Sequence, residues 1–323
     1  MLRIFPVWLR LVCILFLLLA QLGCLPSRPL SLTLGTNLWP GYEPLYLARE
    51  RGLLSADRVL LIELLSASEV MRAFRNGAID AAALTLDEVI MLRAAGFRPV
   101  IVQIADISAG ADVIMARPGM TKMADLRGHR VGVEATALGA YLLSRALKLH
   151  NMKPEDIEVV RLEVNEHRDA FLRGEVDAVV TFDPVRQQLL EAGAVQVFDS
   201  SMLPGEIVDV LVVREALLDS HDDAIQHLIH AWQASLELVR QQPHASASLM
   251  ARRLKLTPDD IMASYQYLEM PGWQRSRELM GQGEARSRLQ QQAERLADSM
   301  YQHHLIDELP NLEGLIYSRY PDA

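Results

Sequence analysis

Asn37, Trp39 and Tyr42 set an amide, an indole and a phenol close together in the stretch Gly35-Thr36-Asn37-Leu38-Trp39-Pro40-Gly41-Tyr42-Glu43-Pro44, which is rich in turn-forming residues. An aromatic pair on a loop can stack on or enclose a small molecule while the amide fixes its orientation; the plainer alternative is that Trp39 packs beneath its own loop. Ser66 and Ser68 fall where a strand gives way to a helix, so their hydroxyls and the free N–H groups of a first turn could hold an oxyanion without any basic residue. Ser68 could equally serve as the helix cap, and the two duties are compatible. Thr85, at the end of an aliphatic run, should reach the same space, as should Thr136 and Leu138. Glu134 stands 97 residues after Asn37, the offset at which the chain repeats itself, and a carboxylate there needs a partner. Asp106 and Asp183 are comparable, with a turn or cap as the competing role for each. Acids in such a place repel a pure anion and suit an ammonium group or the N–H edge of a heterocycle. A zwitterion would satisfy both halves, its acidic end on Ser66, Ser68 and Thr136 and its amine on Glu134 or Asp183.

Other combinations carry less. His227 and His230 share a helical face with Asp223, but nothing completes a metal coordination set, and a solvated face explains them. His303-His304 reads as surface. No phosphate loop of the Walker type, His-Glu-x-x-His or Gly-x-Ser-x-Gly occurs in the sequence, so no catalytic constellation, metal or cofactor is expected.

The elements that must position these residues alternate. Leu32 and Leu34 begin a strand before the aromatic loop, and Leu45–Arg51 is a helix stopped by Gly52. Val59–Leu65, Ile79–Leu84 and Val100–Ala105 read as strands, with helices over Ser68–Asn76 and Leu86–Ala95 between them. The chain then repeats. At an offset of 97, Phe74-Arg75-Asn76-Gly77-Ala78-Ile79-Asp80-Ala81 falls on Phe171-Leu172-Arg173-Gly174-Glu175-Val176-Asp177-Ala178, and Leu34-Gly35 falls on Val131-Gly132. Two lobes of similar build follow, the loops 36–43 and 133–140 facing each other across a cleft. Alternating βα units imply mainly parallel sheets flanked by helices. Lobe 1 is expected over 31–110, lobe 2 over 111–207, and a return to lobe 1 over 208–323, beginning with the aliphatic strand Val208–Val213 and continuing in helices.

The N-terminus reads as a signal over 1–23. Arg3 and Arg10 precede and flank Leu11–Ala20, an apolar run of 10 residues, too short to span a bilayer. Ala20-Gln21-Leu22-Gly23-Cys24 resembles a bacterial lipobox, which implies lipidation at Cys24 and anchorage at the cell envelope. Gln21 stands where that pattern has leucine, leaving ordinary cleavage to a soluble periplasmic form as the alternative. Cys13 and Cys24 are the two cysteines in the sequence, so the body of the chain has no disulfide or thiol nucleophile. The formal charge is −9, which disfavours nucleic acid or an anionic membrane face as partner and suits a monomer.

The order and spacing of Gly35-Thr36-Asn37-Leu38-Trp39-Pro40-Gly41-Tyr42-Glu43-Pro44-Leu45-Tyr46-Leu47-Ala48, Gly77-Ala78-Ile79-Asp80-Ala81-Ala82, Asp125-Leu126-Arg127-Gly128-His129-Arg130-Val131-Gly132-Val133 and Gly174-Glu175-Val176-Asp177-Ala178 resemble the substrate-binding proteins of ABC importers of the nitrate, sulfonate and taurine type. The resemblance extends over Leu32–Pro310. It implies the α/β, type II periplasmic-binding-protein fold, with two lobes joined by two crossover strands and closing on a solute. It also implies a membrane permease as partner, with contacts from the loops that carry Asn37, Trp39 and Tyr42. Two other roles share the fold. A binding protein can present its solute to a membrane sensor, and thiamine-pyrimidine synthases are enzymes, but those carry a cysteine-rich motif that this chain lacks.

Overall fold

The computed structural model describes residues 31–134, 138–282 and 287–321. The expected signal over 1–23, Cys24 and Thr136 therefore lie outside the described residues. In the first lobe β1 (Leu32–Thr36) leads through a 3-10 turn at Pro40–Tyr42 into α1 (Glu43–Glu50). Then β2 (Val59–Glu63) precedes α2 (Ala67–Arg75), β3 (Ala81–Thr85) precedes α3 (Leu86–Ala94), and β4 (Pro99–Ser108) runs to the lobe boundary. The second lobe contains β5 (Val113–Ala116), β6 (Arg130–Val133), α4 (Leu138–Leu149), β7 (Glu158–Arg161), α5 (Val164–Arg173), β8 (Ala178–Thr181), α6 (Val185–Glu191) and β9 (Val195–Asp199). The chain returns with β10 (Val208–Arg214), then α7 (Asp222–Gln241), α8 (Pro243–Leu254), α9 (Pro258–Tyr265), β11 (Leu268–Glu269), α10 (Trp273–Met280) and α11 (Arg288–Gln302).

The sheets have the orders β11-β4-β10-β3-β1-β2 and β7-β6-β8-β5-β9. Parallel pairing of β1 with β2 and β3, and of β6 with β7 and β8, is what the βα alternation implies. Each sheet is nonetheless mixed, because β10 is inserted antiparallel between β3 and β4, and β5 between β8 and β9. The direction has a simple cause. The other long strands end at the cleft, whereas a strand arriving from the opposite lobe begins there and must run back.

The inner parallel strands β1, β3, β6 and β8 are almost wholly buried, whereas the edge strands β2 and β7 are much more exposed. All of β3 is inaccessible, and its alanines let α2 and α3 approach closely while Ile225, Leu228 and Trp232 of α7 belong to the same core. Lobe 2 splits its core, with Leu142 and Ala146 of α4 beside Val131 and Val133 in one cluster, and Ala170, Phe171 and Leu189 beside Val179 in the other. The helices over Val185–Glu191 and Trp273–Met280 and the short β11 are additions to the expected elements. One cap also moves. The N-cap of α2 is Ser66, not Ser68, since Ser66 is extended and its hydroxyl accepts the Glu69 amide at 3.2 Å.

Two segments, 109–112 and 200–207, join the lobes and lie side by side. The Ser200 amide donates to the Asp112 carbonyl at 2.9 Å and the Ser108 amide to the Ile207 carbonyl at 3.0 Å. The Ser108 and Ser200 hydroxyls are 2.7 Å apart, and the Gly110 amide donates to Ser200 Oγ at 2.7 Å.

Candidate functional site

Between the lobes lies a cavity with about 560 Å³ of space between its atoms, part of it open to solvent. Lobe 1 contributes Asn37, Trp39, Tyr42, Ala67, Thr85, Glu88 and Asp209; the crossover and lobe 2 contribute Asp112, Glu134, Leu138, Gly139, Leu142, His167, Val180, Thr181 and Phe182.

The aromatic loop forms one wall. The 3-10 turn at Pro40–Tyr42 is compact because Gly41 has no side chain: a Cβ there would strike the Asp106 carboxyl and the Trp39 indole nitrogen. Trp39 donates through Nε1 to Asp106 Oδ2 at 3.0 Å and meets Phe182 of lobe 2 edge to face, with centroids 5.1 Å apart. It thus lines the cavity and packs across the cleft at once. The Tyr42 hydroxyl donates to Asp209 Oδ1.

Strand register builds the floor. Asp209 of β10 pairs with Thr85 of β3 on one side and Asp106 of β4 on the other, so three polar residues form a row at the cleft end of an otherwise aliphatic sheet. Glu88 stands in the first turn of α3, where its Oε2 accepts the Thr85 amide at 2.9 Å. Burial pushes Asp106 up to about 7, with Asp112 adding to the effect through charge. Asp112 is also pushed up to about 7, by burial and then by the neighbouring charges of Asp87 and Asp183. Glu88 and Asp209 are raised well above the ordinary carboxylate range, first by burial and then by Asp87 and Asp106 respectively. His167 on α5 goes the other way, held down to about 4 by burial, so its ring is neutral at pH 7. Its Nδ1 lies 3.3 Å from Thr181 Oγ1, while its Nε2 has no hydrogen-bond partner.

Glu134 reaches from the end of β6 to the N-terminus of α2. Its Oε1 accepts both the Ser68 amide at 2.8 Å and the Ser68 hydroxyl at 2.6 Å. An acceptor of this kind is what a helix N-terminus favours, but it comes from the protein itself. Asp183 makes another bond between the lobe and the C-terminal helices, accepting the Ser264 hydroxyl at 2.6 Å.

Of the residues singled out from sequence, Asn37, Trp39, Tyr42, Thr85, Glu134 and Leu138 line this cavity. Ser66, Ser68, Asp106 and Asp183 stand behind the lining and hold it, as a cap, as the partner of Glu134, as the acceptor for Trp39 and as the acceptor for Ser264. Thr136 lies outside the described residues. Sequence reasoning missed Glu88, Asp112, Asp209, His167 and Thr181. Two signals were available: Thr85-x-x-Glu88 is a capping pattern directly after a strand, and Asp209 interrupts the run Val208–Val213, where a buried carboxyl calls for a partner. Away from the cavity, His227 Nε2 accepts the Ser55 amide at 3.0 Å and His230 packs on Trp273. Among the described residues no group of three or more His, Cys, Asp or Glu side chains is placed to hold a metal ion, and no helix is long and apolar enough to cross a membrane.

The profile of the NMT1-like family matches residues 26–255 of the chain. An Escherichia coli (strain K12) protein whose name assigns it to aliphatic sulfonate binding is 26% identical over 245 residues, 74% of this chain and 76% of that one. The taurine-binding periplasmic protein of the same organism is 23% identical over 164 residues, 50% of this chain and 51% of its own length. Among solved structures, the alkanesulfonate-binding protein SsuA from Xanthomonas axonopodis pv. citri, bound to MOPS, superposes with a TM-score of 0.77 at 17% identity, covering 90% of this chain and 99% of that one. That likeness is one of fold.

Proposed function

We propose that this chain, which belongs to the NMT1-like family, is the solute-binding component of an ABC importer and captures a small polar solute of the sulfonate and taurine class between its lobes. The observation that carries this is the cavity itself: both lobes line it, only two short segments join them, and Trp39 meets Phe182 directly across it. Such an architecture lets a bound solute bias the lobes toward a closed form, which a membrane permease can distinguish from the open one. Names of the sequence relatives point to the same class of solute. We read the site as one of binding and not catalysis, with the residues that line the cavity as the contacts and Ser66, Ser68, Asp106 and Asp183 as their supports.

Titration of the purified protein with taurine, ethanesulfonate and putrescine, followed by tryptophan fluorescence, tests this. Saturable binding of at least one probe is expected, weakened at least tenfold in Trp39→Ala. Binding that is indifferent to Trp39→Ala would place the site elsewhere. The proposal extends to the N-terminus, where a signal over 1–23 and a lipid on Cys24 would hold the protein at the cell envelope. Cys24→Ser should then move it from the membrane to the soluble fraction of exporting cells; an unchanged distribution would leave cleavage to a soluble form as the better account.

A further inference from the structure

Building on the solute-binding reading, we infer that the solute is anchored by a protonated amine or a comparable N–H donor, and that a sulfonate, where the solute has one, is not the anchoring group. Four carboxyl groups line the cavity: Glu88 and Asp209 from lobe 1, Asp112 from the crossover, and Glu134 from lobe 2. No lysine or arginine lines it among the described residues. Ala135, Thr136 and Ala137, between Glu134 and Leu138, have no ionisable side chain either.

Three of the four acids are engaged by protein groups: Glu88 with the Thr85 amide, Asp209 with the Tyr42 hydroxyl, and Glu134 with Ser68. Asp112 is engaged too, by the Ser108 side chain, but only in part. Its Oδ2 is without a hydrogen-bond partner although the residue is only 2% exposed. The same holds for Nε2 of His167, on a separate helix and 1% exposed. A buried polar atom left unpaired is costly, and three of them on the wall of one cavity, Thr85 Oγ1 being the third, mark where a ligand makes its bonds.

The choice between a donor and an anion follows from what is already taken. One place in this cleft suited to an oxyanion is the N-terminus of α2, and Glu134 occupies its Ser68 amide and hydroxyl. An entering sulfonate would have to displace that carboxylate, and no lysine or arginine among the described lining residues would offset its charge. The buried guanidinium of Arg186 gives no help there, since it is stacked on Tyr267 at 4.5 Å and turned toward the Gly110 carbonyl, outside the lining. An ammonium or a protonated heterocycle meets the reverse situation: acceptors on several sides, shielded from water, and an unpaired oxygen on Asp112.

The test is isothermal titration with a matched set, since taurine and ethanesulfonate differ only by the amine and putrescine carries amines without a sulfonate. The expected result is that taurine or putrescine binds at least tenfold more tightly than ethanesulfonate. Asp112→Asn, of nearly the same shape, should weaken that binding at least tenfold, with the melting temperature of the free variant showing that it folds. His167→Gln provides a second variant with the same expectation. Ethanesulfonate binding as tightly as the amines would overturn this inference and leave the solute-binding reading standing. No saturable binding by any of the three would overturn both. Amine binding unchanged in both variants would overturn the assignment of the anchor.

Discussion

Asp80 in lobe 1 accepts the Thr33 amide at 2.9 Å, and Asp177 in lobe 2 accepts the Arg130 amide at 3.0 Å, each tying the start of a parallel strand to the loop before its neighbour. The glycine before each aspartate, Gly77 or Gly174, ends its helix with φ near +75°, at +74° and +77°, which a residue with a Cβ adopts only with strain. Gly35 and Gly132 sit at matching positions of β1 and β6 because a side chain there would press on Ile79 in one lobe, and on Leu162 and Val179 in the other. These residues recur because they hold a sheet together. The lobes part company at the cleft. Where lobe 1 has Asn37, Trp39 and Gly41, lobe 2 has Glu134, Thr136 and Leu138, at the same offset of 97. What the comparison teaches is a division of labour: repeated residues make the frame, and the diverged Asn37, Trp39, Glu134 and Leu138 line the cavity.

The strongest way to break this division is to give lobe 1 the residue that lobe 2 uses. Gly41→Leu installs the counterpart, Leu138, at a point where even a Cβ strikes the Asp106 carboxyl and the Trp39 indole nitrogen. In lobe 2 the same position starts α4 and a leucine is accommodated. We expect Gly41→Leu to destabilise the protein by about 3 kcal/mol, at the upper end of overpacking costs, as measured by urea denaturation. A cost near zero would mean that the loop is as adaptable as its counterpart and that the divergence is not imposed by packing.

The same division explains what could be read from the sequence. The repeated glycines and aspartates, the caps and the aliphatic runs are local signals, and they gave the βα order, the two lobes and the return strand. The helix over Val185–Glu191 spans only seven residues, too few to display a helical period. Trp273–Met280 buries only Ser276 and Met280, so no apolar stripe announces it. At α2 the sequence Ser66-Ala67-Ser68-Glu69 offers two serines, and the glutamate three residues on selects the first. Within the site, Trp39 and Tyr42 were legible because aromatics in a turn-rich loop are out of place there. Asp112 and Asp209 were not, because their position depends on which strands become neighbours, and the insertion of β10 and β5 is decided by the crossing of the chain between lobes.

A smaller effect would sharpen the comparison, because the two lobes bring groups of opposite titration to one cavity. Asp106 from lobe 1 and Asp112 from the crossover are pushed up to about 7, chiefly by burial, so the folded chain keeps protons there that an unfolded carboxylate gives up near pH 4. Folding is therefore favoured by these groups at low pH, and that advantage is lost as pH rises from about 4 through about 7. Glu88 and Asp209, raised further, extend the loss to higher pH. His167 from lobe 2 acts in the opposite sense: an unfolded imidazole takes a proton near 6.5, but the buried ring does so only near 4, so it costs stability as pH falls between those values. With several acids against His167 and the likewise lowered His227, the melting temperature of the free protein should fall by several degrees between pH 5.5 and pH 8. Asp106→Asn should flatten that slope, and His167→Gln should steepen it between pH 4 and 6.5 by removing an opposing group. A melting temperature that rises toward pH 8 would show that the carboxyls are ionised and already paired in the free protein, and that the cavity is not the electrostatic meeting point of the two lobes.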